Sequence, residues 1–126
     1  MANVGTLGKH FIVEMWDCNR EKINDPDKIM DILHESAIAA GATIVKSFFH
    51  QFSPFGVTGV AILAESHISI HTWPEEGYVA ADIFTCGDTT DPAVGVERLI
   101  EGFEPESSSF MELNRGNMQN KEVMLV

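Results

Sequence analysis

The sequence predicts an α/β protein of the α+β kind: a two-layer sandwich with a mostly antiparallel sheet and two helices on one face. Three observations predict it. Apolar residues alternate with period two over several short segments, and short turns join them, as antiparallel neighbours allow. Asn24-Asp25-Pro26 and Thr90-Asp91-Pro92 each open a stretch of helical period. The chain has 126 residues, 44% of them hydrophobic, which fits one ordinary core and a single domain spanning 1–126.

The elements follow in order. Lys9–Trp16 is a strand, with Phe11, Val13 and Met15 on one face and His10, Ile12, Glu14 and Trp16 on the other. Asp25 can cap a helix whose first turn accepts Pro26, because the missing N–H there is an orphan in any case. Ile29, Ile32, Leu33, Ser36, Ala37 and Ala40 share one face of that helix, and Gly41 stands where it ends. Thr43–Phe52 is β-branched and aromatic, so it is a strand, broken by Pro54-Phe55-Gly56. Val57–Leu63 and His67–Trp73 form a hairpin across Ala64-Glu65-Ser66. Pro74–Gly77 is a turn, and Tyr78–Thr85 is a strand. In the second helix Ala93, Val96, Ile100 and Phe103 share a face, and Glu104-Pro105-Glu106 with three serines forms a loop. Phe110–Leu113 is a last strand, and the tail from Gly116 to Val126 has no clear period. The sheet face away from the helices also carries apolar residues. A homodimer packed sheet on sheet, an αββα arrangement, would bury it.

The charge balance is 8 Lys+Arg against 19 Asp+Glu, a net charge of -11. So acidic a surface repels phosphate and argues against a nucleic-acid partner. It suits a cationic small molecule without requiring one. No stretch approaches the roughly 18 apolar residues of a membrane span. Cys18 and Cys86 lie far apart, so they make neither a disulfide framework nor a CxxC metal site. The opening residues have no secretory pattern, so the expected location is the cytoplasm with both thiols reduced.

Chemistry-capable residues crowd into Glu65–Cys86. Along a strand His67 and His71 stand roughly 13 Å apart at ~3.3 Å per residue, too far to share one ion, so no metal is expected. Cys18 is a small buried hydrophobe, and Cys86 is either that or a tuned thiol with a partner nearby. His10, His34 and His50 are structural or solvated. Ser66 is ordinary in a tight turn. A serine strained there can also turn its hydroxyl on the carbonyl before it, rearranging the peptide bond to an ester. Base-driven elimination and hydrolysis then leave a pyruvoyl group. His71 and Thr58 lie on the two strands that carry this turn, and either is expected to reach it.

The strings Gly56-Val57-Thr58-Gly59-Val60, Glu65-Ser66-His67-Ile68-Ser69-Ile70-His71-Thr72-Trp73-Pro74-Glu75 and Asp82-Ile83-Phe84-Thr85-Cys86-Gly87 closely resemble the prokaryotic S-adenosylmethionine decarboxylases. The likeness runs from about Leu7 to about Leu99. It implies a self-processing proenzyme cut between Glu65 and Ser66 into chains 1–65 and 66–126. Ser66 would become the pyruvoyl group that forms a Schiff base with substrate, with no external cofactor. By the same resemblance His71 assists processing, and Thr58 stands where many members carry a serine implicated in it. Cys86 is the proton donor, Glu75 holds the ribose hydroxyls, and Phe52 offers a stacking surface for adenine. The product would feed polyamine (spermidine) synthesis. Same-family decarboxylases of arginine or ornithine are the near alternative; a nucleoside-binding homologue that never processes is the distant one.

Overall fold

The computed structural model describes residues 5–118. Strands β1 (Gly8–Trp16), β2 (Ile44–Gln51), β3 (Val57–Leu63), β4 (Ser66–Trp73), β5 (Tyr78–Cys86) and β6 (Ser107–Arg115) form one sheet in the order β2-β3-β4-β5-β1-β6. Each neighbouring pair is antiparallel. Helices α1 (Pro26–Ala39) and α2 (Pro92–Phe103) pack on each other, α1 over β2 and β3 and α2 over β1 and β5. This is the expected sandwich. None of the helices described is long and apolar enough to cross a membrane.

Local chemistry fixes the helix ends. The Asp25 carboxylate accepts from the N–H groups of Asp27 and Lys28, at 3.0 and 3.4 Å, with Pro26 in the first turn. At the other end Gly41 takes a φ of 81°, which lets Ala42 N–H reach Ala37 O at 2.9 Å and Gly41 N–H reach Ile38 O at 3.0 Å. These paired bonds satisfy the last carbonyls of α1. Gly95 permits the close approach of the two helices. A Cβ there would stand 3.0 Å from Ile83 Cδ1 and 3.2 Å from Ser36 Oγ, and Ser36 instead donates to Gly95 O at 2.7 Å.

Two expectations need correction. The buried face of α2 is Pro92, Gly95, Val96, Leu99 and Phe103; Ala93 is exposed and Ile100 only half-buried. The Gly95 contact turns the helix so that Leu99, not Ala93, points inward. The three serines also belong to β6, which runs the full length of β1 from Trp16↔Ser107 to Gly8↔Arg115. β6 is exposed along its whole length, so no apolar alternation marks its start. The expected tail begins hydrogen-bonded to the N-terminal segment, Leu7 N–H donating to Gly116 O and Met118 N–H to Gly5 O. Its remainder, 119–126, lies outside the described residues.

The core sits between sheet and helices. Val13, Met15, Ile29, Leu33, Ile68, Ile70, Val79, Ile83, Leu99 and Phe103 are fully buried there. The opposite face holds Ile62, Trp16 and Trp73 at 40%, 46% and 42% exposure, so a large apolar surface has no cover among the described residues.

Candidate functional site

The β3–β4 hairpin closes through Ala64 and Glu65 alone, and Ser66 is already the first residue of β4, paired with Leu63 and with Thr85. The tip is latched from both sides. On the β2 side Ala64 N–H donates to Thr43 O at 2.9 Å, and Thr43 N–H donates to Glu65 Oε1 at 3.0 Å. On the β5 side the Glu65 carbonyl accepts the Cys86 N–H at 3.1 Å and the Cys86 thiol at 3.2 Å. Ser66 itself has a φ of 154°, which L residues rarely adopt. That angle sets how the serine side chain stands to the Glu65 carbonyl carbon, so the strain falls on the peptide bond the sequence singles out.

Cys86 is exposed at the end of its strand. Cys18 is buried, and burial, with the charge of Asp17 behind it, pushes its thiol up to about 11. Of the two cysteines, Cys86 is the one open to solvent. A cavity of about 610 Å³ opens at the same end of the sheet, bounded by Leu7, Lys9, Thr85, Gly87, Asp88 and Thr90 among others. Its volume falls in the range of small-molecule sites.

The remaining predicted residues lie elsewhere. Thr58 and His71 face each other across β3 and β4, Thr58 Oγ1 3.1 Å from His71 Nδ1. They stand five residues along their strands from Leu63 and Ser66, roughly 16 Å at ~3.3 Å per residue. Neither reaches the Ser66 peptide bond of its own chain, which corrects the expectation that either could. Glu75 lies beyond the far end of β4, beside a second cavity of about 480 Å³ with Arg20, Asn24 and Phe55. Arg20 fixes that turn by donating to Pro74 O at 3.0 Å and Glu75 O at 2.8 Å. Phe52 is at the same end, exposed, edge-on to His50.

The open face also holds a network that sequence reasoning missed. Asp82 on β5 accepts from His67 Nε2 at 2.9 Å, from His10 Nε2 at 2.5 Å and from the Ser69 hydroxyl. Burial pushes the Asp82 carboxyl up, but the hydrogen bonds from Ser69, His10 and His67 outweigh it and hold the group below its ordinary range. Arg115 on β6 donates to His10 Nδ1 at 2.7 Å and lies over Phe84. His10 is therefore neither isolated nor merely solvated. The signal was that positions 10, 67, 69 and 82 each alternate with the buried residues of their own strand, but only the registers of β1 and β4 beside β5 bring them together. Two histidines and a carboxylate, with ligand atoms within 4.8 Å of one another, match a metal set in residue type. The Arg115 contact makes His10 Nδ1 an acceptor, so its Nε2 carries the proton given to Asp82. A metal there would have to displace that proton beside a fixed guanidinium. The cluster reads as a set of donors gathered on one ionised acceptor.

Residues 9–116 match the family model described as S-adenosylmethionine decarboxylase. The chain is 44% identical over 110 residues to an S-adenosylmethionine decarboxylase proenzyme of Oceanobacillus iheyensis, covering 87% of each. It is 47% identical over 111 residues to one of Pyrococcus furiosus, covering 88% of this chain and 80% of that one. Its backbone superposes on the crystal structure of the adenosylmethionine decarboxylase from Aquifex aeolicus with a TM-score of 0.84 at 35% identity, over 90% of this chain and 93% of that chain. With a strained serine, a latched carbonyl and an exposed cysteine gathered at one hairpin tip, the chain belongs to the S-adenosylmethionine decarboxylase family.

Proposed function

We propose that this chain is a proenzyme that cuts itself between Glu65 and Ser66 and then decarboxylates S-adenosylmethionine. The observation that carries the reading is the Glu65 carbonyl, which accepts both the N–H and the thiol of Cys86 on the bond preceding strained Ser66. Attack of the Ser66 hydroxyl on the Glu65 carbonyl carbon puts negative charge on that oxygen, where two donors already stand. Collapse breaks the C–N bond and leaves an ester, with the amine of Ser66 released. Removal of the Ser66 Cα proton then expels the Glu65 carboxylate, and water replaces the nitrogen as ammonia.

The second step needs a base; His71 of the same chain lies five residues along β4, and His67 is engaged with Asp82. A second copy laid face to face and antiparallel supplies one: the partner's His71. With Nδ1–H donating to Thr58 Oγ1, its Nε2 keeps a lone pair for the proton. Thr58 retains the hydroxyl this needs. The same apposition brings the partner's Glu75 and the partner's Phe52 toward Cys86. There a carboxylate can hold vicinal hydroxyls and a ring can stack on a base. The uncovered apolar face supports this homodimer, because its burial is what a stable interface requires.

Ser66 fits the group the family implies, since it is the residue from which a pyruvoyl group is made. When formed, that group supplies an electron sink for the pair left by departing CO₂. Cys86 is the nearest acid to return a proton to the substrate carbon. Intact mass tests the reading. Purified protein should give chain 1–65 and a chain 66–126 lighter than its serine form by one ammonia. Labelled CO₂ should be released from S-adenosylmethionine and not from arginine or ornithine. A single full-length species after long incubation defeats the enzyme reading; release from arginine or ornithine instead reassigns the substrate.

A further inference from the structure

Cleavage creates a mechanical problem. The hydrogen bonds that latch the hairpin tip all fall on Ala64 and Glu65: the Thr43 bonds on one side and the Cys86 bonds on the other. After the cut those residues are the tail of the other chain. The new chain begins at position 66, at the end of a strand, where ladders fray. Its reactive head must nevertheless stay beside Cys86.

On its own side of the cut, side chains add to the backbone ladders with β3 and β5. His67, the second residue of the new chain, donates to Asp82 at 2.9 Å, and Ser69, the fourth, donates to the same carboxylate. Asp82 is braced in turn from the other direction by His10 on β1 at 2.5 Å, and His10 by Arg115 on β6 at 2.7 Å. The chain of contacts spans β4, β5, β1 and β6. It lies on the face proposed to meet the partner, where the apolar neighbours gain nothing from a charge. A part-buried carboxylate with three donors on it is costly to assemble unless the alignment matters.

We propose that Asp82 is a positioning residue that clamps His67 and Ser69, and so holds the head of the new chain against Thr85 and Cys86 once the Glu65–Ser66 bond is gone. The proposal rests on the self-cleavage reading above. Before the cut the covalent chain does this work and the clamp is redundant; after it the clamp reinforces the end of the ladders with β3 and β5. The prediction is conditional, and so can be separated from a general contribution to stability.

The test is hydrogen exchange at the amides of residues 67–70, read by mass spectrometry on full-length protein. His67→Ala is made twice, in the self-cleaving chain and in the uncut Ser66→Ala background. Removal of one charge-assisted bond should speed exchange in the cleaved protein by about tenfold and in the uncut protein by less than about twofold. His67→Gln, which keeps an N–H donor at similar reach, should restore most of the protection. In the cleaved His67→Ala enzyme kcat should fall with little change in KM, since the head of the chain is displaced and not the substrate's side-chain contacts. Asp82→Asn, with its acceptor halved, should fall between. Equal exchange in cleaved His67→Ala and cleaved parent overturns the proposal. So does an equal rise in both backgrounds, which makes the cluster ordinary sheet stability. A His67→Ala chain that does not cleave also overturns it, placing His67 in processing. Failure of the parent chain itself to cleave falls instead on the self-cleavage reading.

Discussion

On the helix-covered face of the sheet Val13, Ile70 and Ile83 have no exposed surface, while their immediate neighbours on the other face are Glu14, His71 and Asp82. The same strands serve both. The covered face is a continuous apolar layer completed by Ile29, Leu33, Leu99 and Phe103, and water is excluded by the chain alone. The open face mixes half-exposed aromatics with hydroxyls, histidines and the carboxylates of Glu14 and Asp82. The covered face holds the strands in register, and register then carries the open-face groups to their partners. The candidate chemistry sits on the face that the fold does not need for its own stability, and in the homodimer proposed above a second copy would cover that face.

The sharpest break between the two faces is at Ser66. Ser66→Ala should abolish self-cleavage while leaving the melting temperature close to that of the uncut parent, as intact mass and calorimetry would record. Mixing sharpens the point. Ser66→Ala and His71→Ala chains should each remain uncut alone, yet co-expression should yield cleavage of the His71→Ala chain in mixed dimers. There its Ser66 meets the partner's intact His71. No cleavage in a demonstrated mixed dimer would mean that His71 serves its own chain, against the five-residue offset along β4. Cys86→Ala ranks next. Turnover should fall by about 10²–10⁴ with loss of the acid. Cleavage should slow but finish, because the Cys86 backbone N–H still reaches the Glu65 carbonyl. Normal, lasting turnover of Cys86→Ala would reassign the proton donor.

Apolar truncations compare the faces directly. Ile70→Ala on the covered face should cost about 2–5 kcal/mol of folding stability, because the cavity left cannot collapse between sheet and helices. Ile62→Ala, at a site 40% exposed on the open face, should cost under about 1 kcal/mol in the chain itself. It should instead raise the dimer dissociation constant, measured by sedimentation over a dilution series. An unchanged dimer constant would move the interface off this face.

The covered face was legible in the sequence and the open face only in part, for a physical reason. Burial imposes period two on strands and a stripe on α1, so Phe11, Val13, Met15, Ile29 and Leu33 announced themselves. The two Asp-Pro helix starts were equally plain. β6 was not, because an exposed edge strand has no need of alternation. α2 was misphased because Gly95, which has no side chain to count, decides which way it turns. Ser66, Cys86 and Glu65 could be picked out as motif residues; the tight turn joins Glu65 to Ser66, and the β4–β5 register brings Cys86 to them. His71, Thr58, Glu75 and Phe52 were picked out as well, but strand register sets them at the far end of the sheet, and only the proposed second chain would bring them to Ser66. The clamp of His10 and Arg115 on Asp82 joins residues 72 and 105 positions apart in part, and no local pattern encodes it.

A pH titration separates ionised Asp82 from the shape of its side chain. Asp82→Asn keeps the size and removes the charge that His67, His10 and Ser69 share. At pH 7 it should cost about 2 kcal/mol, the order of one or two hydrogen bonds to a charged group. The folded-state pKa of Asp82 is depressed, so its contribution is fully present above the ordinary carboxyl value near 4 and is lost as pH falls through the lower folded value. Urea midpoints of the parent and Asp82→Asn should therefore run parallel from pH 7 to about 5 and converge below about 4. Asp88→Asn, on an exposed loop, should leave the midpoint unchanged throughout. A gap for Asp82→Asn that stays constant down to pH 2.5 would mean that the open face is held by the fit of the side chain and not by its charge, and the two faces would then follow one rule.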